Sequence, residues 1–307
     1  MSTPVSIGVI GTGYLGRIHA RILKSLPGAG LVGIYDASDA RGKEVAAELG
    51  TTAYAHIAEL AERCEALVVA VPTVHHRAVA EPLLRAGKAL LVEKPLAGSV
   101  ADGTALVAAA RAAGSLLATG HVERFSPAVA ELLRRTEHPG FIEIHRLAEF
   151  KPRSLDVDVI LDLMIHDLDL CLAMARSEVR EVRAKGVAVL TDKVDIANVR
   201  LEFASGCVAN LTASRVSKEP VRKIRVFEPH LYRSADSAAG TMEEIAVTLG
   251  AKGPEIRREQ MSPDKTEPLA AELSDFIAAV REKREPRVNG EAGLAALTLA
   301  HEILGKL

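Results

Sequence analysis

Residues 5–36 read VSIGVIGTGYLGRIHARILKSLPGAGLVGIYD, and one complete structural pattern lies within them. The apolar run 7–10 has the length and composition of a buried parallel strand. A turn with three glycines follows at 11–16, and residues 17–26 space their apolar side chains as an amphipathic helix does. A second apolar run then ends in Asp36. The order strand, glycine turn, helix, strand and acid is typical of a mononucleotide-binding unit.

Each glycine of this turn has a physical role. Gly11 allows a sharp turn out of the strand, Gly13 has no side chain to keep the backbone away from a pyrophosphate, and Gly16 lets the helix lie close to the sheet. The N–H groups and the positive dipole end of the helix would then bind phosphates. The predicted cofactor-binding residues of the turn are Gly11, Thr12, Gly13, Tyr14, Leu15 and Gly16.

Asp36 predicts which dinucleotide is bound. A carboxylate at the tip of the second strand accepts hydrogen bonds from both hydroxyls of an adenosine ribose and repels a 2′-phosphate. The sequence therefore favours NAD over NADP. Arg41 is included among the cofactor-binding residues, and its role stays open between contact with a 2′-phosphate, stacking on adenine and solvation.

Length and composition limit the class of protein. The 307 residues exceed one ordinary hydrophobic core and suit two domains. Hydrophobic residues make up 48% and charged residues 25%, as in soluble globular proteins, and a net charge of -2 gives no basis for binding nucleic acid or an anionic membrane. Without a signal-peptide pattern or a membrane-spanning run, we expect a cytoplasmic protein. Cys64, Cys171 and Cys207 lie far apart in apolar surroundings, which predicts buried thiols.

Strands and helices continue to alternate after Asp36. The pattern predicts helices at 40–49, 57–63, 79–86 and 100–113, and strands at 51–54, 66–71, 89–92 and 116–119. This alternation predicts a doubly wound parallel sheet of the Rossmann type, in a dinucleotide-binding domain at residues 1–121. Ligands of such sheets bind beyond the carboxyl ends of the strands.

Two of these strand ends add residues to the predicted cofactor site. They contribute Val71, Pro72, Thr73, His76, Glu93 and Lys94. A lysine at a strand end is usually a solvated terminator, but Lys94 falls beside the expected nicotinamide position. Pro95 fixes the local backbone and would aim the ammonium into the cleft. We therefore predict that Lys94 takes part in the chemistry.

The pattern changes in the second half of the chain, for which we predict a domain at 122–307. Successive strands with little helix between them indicate an α+β domain with a largely antiparallel open sheet. The predicted strands are 141–150, 179–190, 194–203, 208–216 and 221–227, and the predicted helices are 128–135, 159–175, 269–281 and 292–304. We expect the C-terminal helix to pack back on the first domain. Residues 228–268 are interpreted as either a loop over the substrate or an edge hairpin.

Asp162 and His166 lie four residues apart in the predicted helix 159–175, which places both side chains on one helix face. A carboxylate can orient an imidazole that accepts a proton near neutral pH. An ordinary Asp–His pair that satisfies the helix remains an alternative. A metal site formed by Asp156, Asp158, Asp162, His166 and Asp169 is a further alternative, but no spacing fixes a ligand set, and we expect no metal.

The order of motifs resembles the glucose-fructose oxidoreductase, inositol dehydrogenase and rhizopine catabolism (Gfo/Idh/MocA) family over essentially the whole chain. The motifs are GVIGTGYLG near the start, VPTVHH at 71–76, EKP at 93–95, GHVERFSP at 120–127 and DLMIHDLDL at 162–170. The resemblance implies a Rossmann domain followed by an α/β domain that binds substrate and assembles a homodimer or homotetramer through its open sheet. It also implies that Lys94 belongs to the EKP motif, that Asp162 binds substrate and that His166 is the catalytic histidine.

Family members often have a glycine-rich run before the catalytic helix, where this chain has Asp156-Val157-Asp158-Val159. This run and GHVERFSP resemble the branch that oxidises the 3-hydroxyl of UDP-N-acetylglucosamine on the route to lipid A. Basic residues at 215–225 would hold the diphosphate, although a solvated sheet face is the alternative. The predicted substrate-binding residues are Lys94, Glu123, Arg124, Asp162, His166 and Arg215.

These observations together predict an NAD-dependent oxidoreductase that transfers a hydride from the hydroxyl-bearing carbon of a nucleotide sugar. Lys94, Asp162 and His166 are the predicted catalytic residues. Two alternatives remain: a dehydrogenase of a free sugar or a polyol such as inositol, and a dinucleotide-binding sensor without turnover.

Overall fold

The computed structural model describes four ranges of the chain: residues 3–150, 157–250, 253–263 and 266–307. The chain divides into two compact units, each made of two segments. The first unit consists of Met1–Val122 and Leu269–Leu297, and the second of Glu123–Pro268 and Thr298–Leu307. Residues 269–297 thus belong to the first unit, whereas the predicted second domain runs to the end of the chain.

The first unit contains a parallel sheet, because helices between the strands return the chain to begin each strand in the same direction. Its strands are β1 (Val5–Ile10), β2 (Ala29–Tyr35), β3 (Ala66–Val69), β4 (Ala89–Glu93) and β5 (Leu117–Gly120). They lie in the order β2-β1-β3-β4-β5, and each neighbouring pair is parallel. The strand order reverses direction between β1 and β3, which is where such sheets bind dinucleotides.

The helices of the first segment of this unit are α1 (Tyr14–Ser25), α2 (Asp39–Leu49), α3 (Ile57–Glu62), α4 (His76–Arg85) and α5 (Val100–Ala113). Two of them, α2 and α5, begin and end at residues that satisfy their terminal backbone groups. The Ser38 side chain caps α2 and the Ser99 side chain caps α5, each by accepting a backbone N–H. Gly50 and Gly114 end the same two helices with φ values of 58° and 64°, which favour glycine.

The second unit contains an eight-stranded sheet, and the prediction of a largely antiparallel sheet is confirmed. Its strands are β6 (Phe141–Leu147), β7 (Val179–Val187), β8 (Ile196–Phe203), β9 (Val208–Ser214), β10 (Val221–Glu228), β11 (Leu231–Asp236), β12 (Thr241–Gly250) and β13 (Gly253–Met261). Their order is β13-β12-β11-β10-β6-β9-β8-β7, and only the β6–β9 pair is parallel within the described residues.

Residues 228–268 contain three strands at one edge of this sheet. The hairpin β12–β13 forms that edge, and β11 joins it to β10. Of the two interpretations of this segment, the edge hairpin is thus the one that the structure has. Buried and exposed side chains do not alternate regularly along β13, because the five successive residues from Pro254 to Arg258 are all exposed. The apolar periodicity that identifies a strand in a sequence is therefore weak there.

Helix α6 (Pro127–Arg135) packs against β11 and β12, and α7 (Ile165–Ala175) packs against β6. The predicted helix 159–175 differs from the observed one at its start. A π-helical turn, Ile160–Met164, precedes α7, so the helix is locally wider than an α-helix. This turn contains Asp162. Such turns occur frequently at functional sites.

The last two helices are α8 (Pro268–Glu282) and α9 (Gly290–Leu304). Leu273, Phe276 and Ile277 of α8 lie in one buried cluster with apolar residues of α1, α2 and the parallel sheet. These three side chains are 0%, 1% and 3% exposed, and each contributes about 1.5–3 kcal/mol through burial. Helix α8 is therefore part of the core of the first unit.

The predicted strand 51–54 is wrong as a full strand. Among the described residues of this segment, only Ala53 makes a bridge, to Ile34 of β2. The segment lies directly outside β2 and is too short to form a ladder.

The prediction of buried, unpaired thiols is confirmed, because Cys64, Cys171 and Cys207 are all free and buried.

Candidate functional site

The glycine turn after β1 is packed as tightly as its sequence predicts. Gly11 has a φ of +87°, and a Cβ there would lie 2.7 Å from the carbonyl oxygen of Ala70. A Cβ on Gly16 would lie 1.8 Å from the carbonyl oxygen of Gly11. At Gly13 a Cβ would meet nothing within 4 Å, so this position faces open space. The turn therefore leaves room beside the start of α1, where Tyr14 and Leu15 are exposed.

The first turn of α1 can bind an anion. Gly13 caps the helix without a side-chain hydrogen bond, and the first turn contains no acidic residue. The backbone N–H groups and the dipole of α1 are thus not neutralised by a side chain at this end. This is the arrangement that binds the pyrophosphate in dinucleotide-binding units.

Asp36 follows β2 and is hydrogen-bonded to the glycine turn. The Thr12 backbone N–H and hydroxyl each donate to Asp36 Oδ2 at 2.7 Å, and the Ser38 N–H donates to Oδ1 at 2.9 Å. Burial raises the pKa of Asp36, but these hydrogen bonds and the nearby charge of Arg41 outweigh it and leave the pKa below its ordinary value. The carboxylate is therefore ionised and fixed in direction at neutral pH.

Arg41 lies on the same side of the turn. Its Nε donates to the Thr12 carbonyl oxygen at 3.2 Å, and its Nη1 pairs with Glu44 at 2.9 Å. The guanidinium is thus held between α2 and the glycine turn. These contacts leave its role toward a cofactor as a prediction.

An apolar cleft of about 560 Å³ lies next to Asp36. Its lining includes Tyr35, Ile57, Val71, Pro72 and Val79. The residues come from the ends of β2 and β3 and from α3 and α4, all within the first unit. A planar, weakly polar ring such as adenine suits such a lining. An adenosine ribose bound by Asp36 would bring its adenine to this cleft.

Two predicted cofactor residues after β3 are placed by a short 3₁₀ turn, Thr73–His75. Thr73 opens this turn, and His76 begins α4 with its side chain 1% exposed. His76 Nε2 lies 3.0 Å from the Val71 carbonyl oxygen, and its Nδ1 lies 3.0 Å from that of Pro95. His76 therefore joins the loop after β3 to the loop after β4, and contact with a cofactor stays a prediction for it.

The EKP motif ends β4. Glu93 Oε1 lies 2.6 Å from His19 Nε2, and Glu93 Oε2 accepts the Lys94 backbone N–H at 3.2 Å. The Lys94–Pro95 peptide bond is cis. Glu93 is thus bound inside the protein, while Lys94 is half-buried at the carboxyl end of the sheet.

In the second unit, Asp162 and His166 lie on either side of the junction between the π-helical turn and α7. Both side chains are half-buried. The simple α-helical spacing from which one shared face was predicted does not apply at Asp162, because the π-helical turn changes the angle between successive side chains. The positions still place an acid and an imidazole one turn apart on the same helical segment.

Ion pairs fix α7 next to His166. Arg124 donates to both carboxylate oxygens of Asp169 at 2.6 Å. Arg146 on β6 donates to Asp167 at 2.7–3.0 Å and to Glu123 at 2.9 Å. Glu123 and Arg124, predicted to bind substrate, are therefore ion-paired within the second unit.

Arg215 lies in a separate buried network. It donates to Asp195 Oδ1 and to the Val157 carbonyl oxygen at 2.8 Å each, and to Thr191 Oγ1 at 3.1 Å. Its side chain is 6% exposed. These contacts fix the segment that precedes the π-helical turn, and they occupy the guanidinium that was predicted to bind substrate.

Neither a metal site nor a membrane span is found in the described parts of the chain. No group of three or more His, Cys, Asp or Glu residues there could hold a metal ion. None of the helices in those parts combines the length and apolarity needed to cross a bilayer. Asp156, one residue of the alternative metal set, lies outside the described residues.

Both units of the chain match models of known protein families. Residues 5–121 match the model of an oxidoreductase family with an NAD-binding Rossmann fold, and residues 134–227 match the GFO/IDH/MocA C-terminal domain. The chain belongs to the GFO/IDH/MocA oxidoreductase family. Its first unit is accordingly an NAD-binding Rossmann fold, and the predicted recognition, fold class and cofactor are confirmed.

Individual members of the GFO/IDH/MocA family resemble the chain over nearly its whole length. It is 40% identical to UDP-N-acetylglucosamine 3-dehydrogenase of Acidithiobacillus ferrooxidans over 300 residues, 96% of this chain and 95% of that one. It is 31% identical to myo-inositol 2-dehydrogenase of Thermotoga maritima over 315 aligned positions, 96% and 94% of the two chains. A solved structure of the Acidithiobacillus enzyme gives a TM-score of 0.93 at 38% identity, covering 100% and 98%.

Several buried charged or polar residues of the two units were not identified from the sequence. They are His19 and Glu272 in the first unit and Arg146 and Asp167 in the second. Arg146 and Asp167 are far apart in sequence and lie on different elements, so no local spacing connects them. His19 is the one with a usable signal, because a histidine on the buried face of an amphipathic helix needs a partner.

Proposed function

We propose that the enzyme uses NAD to oxidise the 3-hydroxyl of UDP-N-acetylglucosamine. The observation that carries this proposal is the 40% identity, over 96% of the chain, to a UDP-N-acetylglucosamine 3-dehydrogenase. The motifs GHVERFSP and DVDVILDLMIHDLDL, which resemble that branch, support the same substrate. The product would be the 3-keto nucleotide sugar.

In the proposed mechanism, bound NAD would supply the acceptor for the hydride of C3, and the protein would remove the hydroxyl proton. His166 takes the proton of the 3-hydroxyl as general base. Asp162 orients His166 or binds a neighbouring hydroxyl of the sugar. Lys94 donates a hydrogen bond to the same oxygen and stabilises the negative charge that develops on it. The half-buried positions of these three side chains support access to both solvent and substrate.

The cofactor would lie along the glycine turn of the first unit. The N–H groups at the start of α1 bind the pyrophosphate, Asp36 accepts the adenosine ribose hydroxyls, and the 560 Å³ cleft holds adenine. The hydrogen bonds from Thr12 keep Asp36 ionised, which supports the preference for NAD over NADP.

Most of the residues proposed to bind the sugar nucleotide already have partners within the protein. Glu123, Arg124 and Arg215 remain in the proposed substrate-binding set, but each is already ion-paired, so a substrate contact would compete with those pairs. Among the basic residues proposed for the diphosphate, Arg222 pairs with Glu123 and keeps 53% of its side chain exposed. Exposure leaves its guanidinium able to bind phosphate oxygens.

The test is to incubate the purified full-length protein with NAD and UDP-N-acetylglucosamine and to follow NADH absorbance. Matched controls replace the substrate by N-acetylglucosamine, by UDP alone and by myo-inositol. We expect turnover only with the nucleotide sugar, and mass spectrometry of the product should show the loss of two hydrogens. No NADH with any nucleotide sugar would contradict the proposal.

A second candidate is the oxidation of a polyol. The observation in its favour is the 31% identity to myo-inositol 2-dehydrogenase over 96% of the chain. Turnover of myo-inositol with a kcat/KM above that of UDP-N-acetylglucosamine would favour this candidate. The same assay would show no NADH for any sugar or polyol if the chain were a non-catalytic sensor.

We also propose a cytoplasmic homodimer or homotetramer assembled through the open sheet of the second unit, in a pathway to lipid A. Exposure of an apolar sheet face to water costs free energy, and assembly through that face would remove the cost. Exposed Phe227 on β10 lies next to Phe141 and Tyr232 and would be covered in such a dimer. Sedimentation equilibrium would give the mass, and a monomer at micromolar concentration would contradict the assembly.

A further inference from the structure

Three ionisable side chains form a buried cluster in the first unit. They are His19 on α1, Glu93 on β4 and Glu272 on α8, and they are 0%, 7% and 2% exposed. Glu93 Oε1 lies 2.6 Å from His19 Nε2, and the charge of Glu93 acts on Glu272. Lys94 follows Glu93 directly in sequence. The cluster therefore lies immediately next to the lysine that we assign to the reacting oxygen, although none of the three residues needs to touch substrate.

Glu93 carries the negative charge of this cluster. Burial raises its pKa, but the hydrogen bond with His19 and the charges of His19 and Lys94 outweigh burial and leave the pKa below its ordinary value. Contacts hold both carboxylate oxygens in place, because Oε1 lies 2.6 Å from His19 Nε2 and Oε2 accepts the Lys94 backbone N–H at 3.2 Å. Glu93 is thus an ionised carboxylate held in one orientation beside Lys94.

Glu272, in contrast to Glu93, carries no charge. Neither of its carboxyl oxygens has a hydrogen-bond partner among the described residues. Burial raises its pKa well above the ordinary value, and the charges of Glu93 and Asp275 raise it further. A buried carboxyl group without a partner takes up a proton rather than remain charged. Glu272 is therefore a neutral acid at neutral pH.

We propose that Glu272 is a positioning residue that acts through Glu93 on Lys94: by keeping its proton, it prevents a second negative charge in the buried cluster. With Glu272 neutral, Glu93 is the one carboxylate of the cluster beside Lys94, and the positive potential of the ammonium stays available to an alkoxide. A second carboxylate nearby would reduce that potential. The inference rests on the proposed function, because that function gives Lys94 its contact with the reacting oxygen.

The protonation of Glu272 can be measured without any activity. Glu272→Gln keeps the shape and removes the ionisable proton. With a raised pKa in the folded state, wild type loses stability relative to this variant as the pH rises above the unfolded-state value near 4.5. The ratio of the folding equilibrium constants, variant over wild type, should rise by up to about tenfold per pH unit in urea unfolding at pH 5, 6 and 7.

Glu282→Gln is the matched control, because Glu282 ends the same helix with its side chain 51% exposed. Glu272→Met provides a second variant if the glutamine does not fold, since an apolar side chain of similar size suits a buried neutral site. A ratio that stays constant from pH 5 to 7 in both Glu272 variants would show an ionised Glu272 and would overturn the proposal.

The effect on Lys94 is tested by the pH profile of kcat. In wild type, ionisation of Glu272 at alkaline pH should lower kcat by at least about threefold, and Glu272→Gln should remove that decrease. A structural role alone would change kcat equally at every pH. Identical alkaline profiles in wild type and Glu272→Gln would overturn the link to Lys94.

The two proposals fail in different ways. If wild type reduces no NAD with UDP-N-acetylglucosamine, the proposed function fails, but the unfolding measurement still decides whether Glu272 holds a proton. If wild type is active and the pH profiles coincide, the proposed function stands and the role of Glu272 fails.

Discussion

Arg146 donates three hydrogen bonds of 2.7, 2.9 and 3.0 Å to the carboxylate of Asp167, the residue that follows His166. Both side chains are nearly inaccessible to water, at 6% and 1% exposed. Burial raises the pKa of Asp167 above its ordinary value, although the charge and hydrogen bonds of Arg146 oppose this effect. The pair therefore fixes the first turn of α7 against β6.

Replacement of Arg146 by Met should destabilise the protein by about 3–5 kcal/mol, because the buried Asp167 would lose its Arg146 partner and Glu123, of its two arginine partners, would keep only Arg222. The measurement is urea unfolding of the full-length chain. Arg183→Met is the control, since Arg183 is 68% exposed in its pair with Glu181, and the free energy of unfolding should hardly change there. Equal losses in the two variants would contradict the buried pair's importance.

Replacement of Asp36 by Ser should shift the preference toward NADP. The carboxylate that accepts ribose hydroxyls and repels a 2′-phosphate is lost, and Arg41 remains nearby. We expect kcat/KM for NAD to fall by about tenfold or more and kcat/KM for NADP to rise. Asp39→Ser, at an exposed position three residues on, should leave the ratio of the two values unchanged.

Replacement of His166 by Ala should lower kcat by about a hundredfold or more while NAD affinity stays near that of wild type. The imidazole is the proposed general base and belongs to the second unit, whereas the glycine turn proposed to bind NAD belongs to the first. Steady-state kinetics and NAD titration by calorimetry provide the two values. His138→Ala, at an exposed position, is the control. An active His166→Ala would remove this residue from the mechanism.

Replacement of Gly16 by Ala should weaken NAD binding and destabilise the first unit by about 1–3 kcal/mol. The added Cβ would lie 1.8 Å from the Gly11 carbonyl oxygen, so α1 must move away from the sheet and from the pyrophosphate position. Thermal unfolding with and without NAD measures both effects. Gly98→Ala adds a Cβ that meets nothing within 4 Å and should be neutral. Normal NAD-dependent stabilisation in Gly16→Ala would contradict this explanation.

The sequence predicted the parts of the fold that depend on local patterns. The glycine turn, Asp36 and the EKP motif could be identified because each follows an apolar run that forms a buried strand. The π-helical turn at Asp162 could not, since its apolar spacing is also that of an α-helix. The ion pairs of Glu123 and Arg124 depend on partners 23 and 45 residues away, which only tertiary structure brings together.

The position of α8 has a consequence for biosynthesis. The apolar surface that Leu273, Phe276 and Ile277 cover belongs to strands and helices translated far earlier. A ribosome must therefore synthesise the whole intervening unit before the nucleotide-binding core can close. Until then, the nascent N-terminal half exposes apolar surface and is a substrate for chaperones. A fragment that stops at residue 122 should consequently aggregate, and the two units cannot be exchanged with relatives by a single crossover.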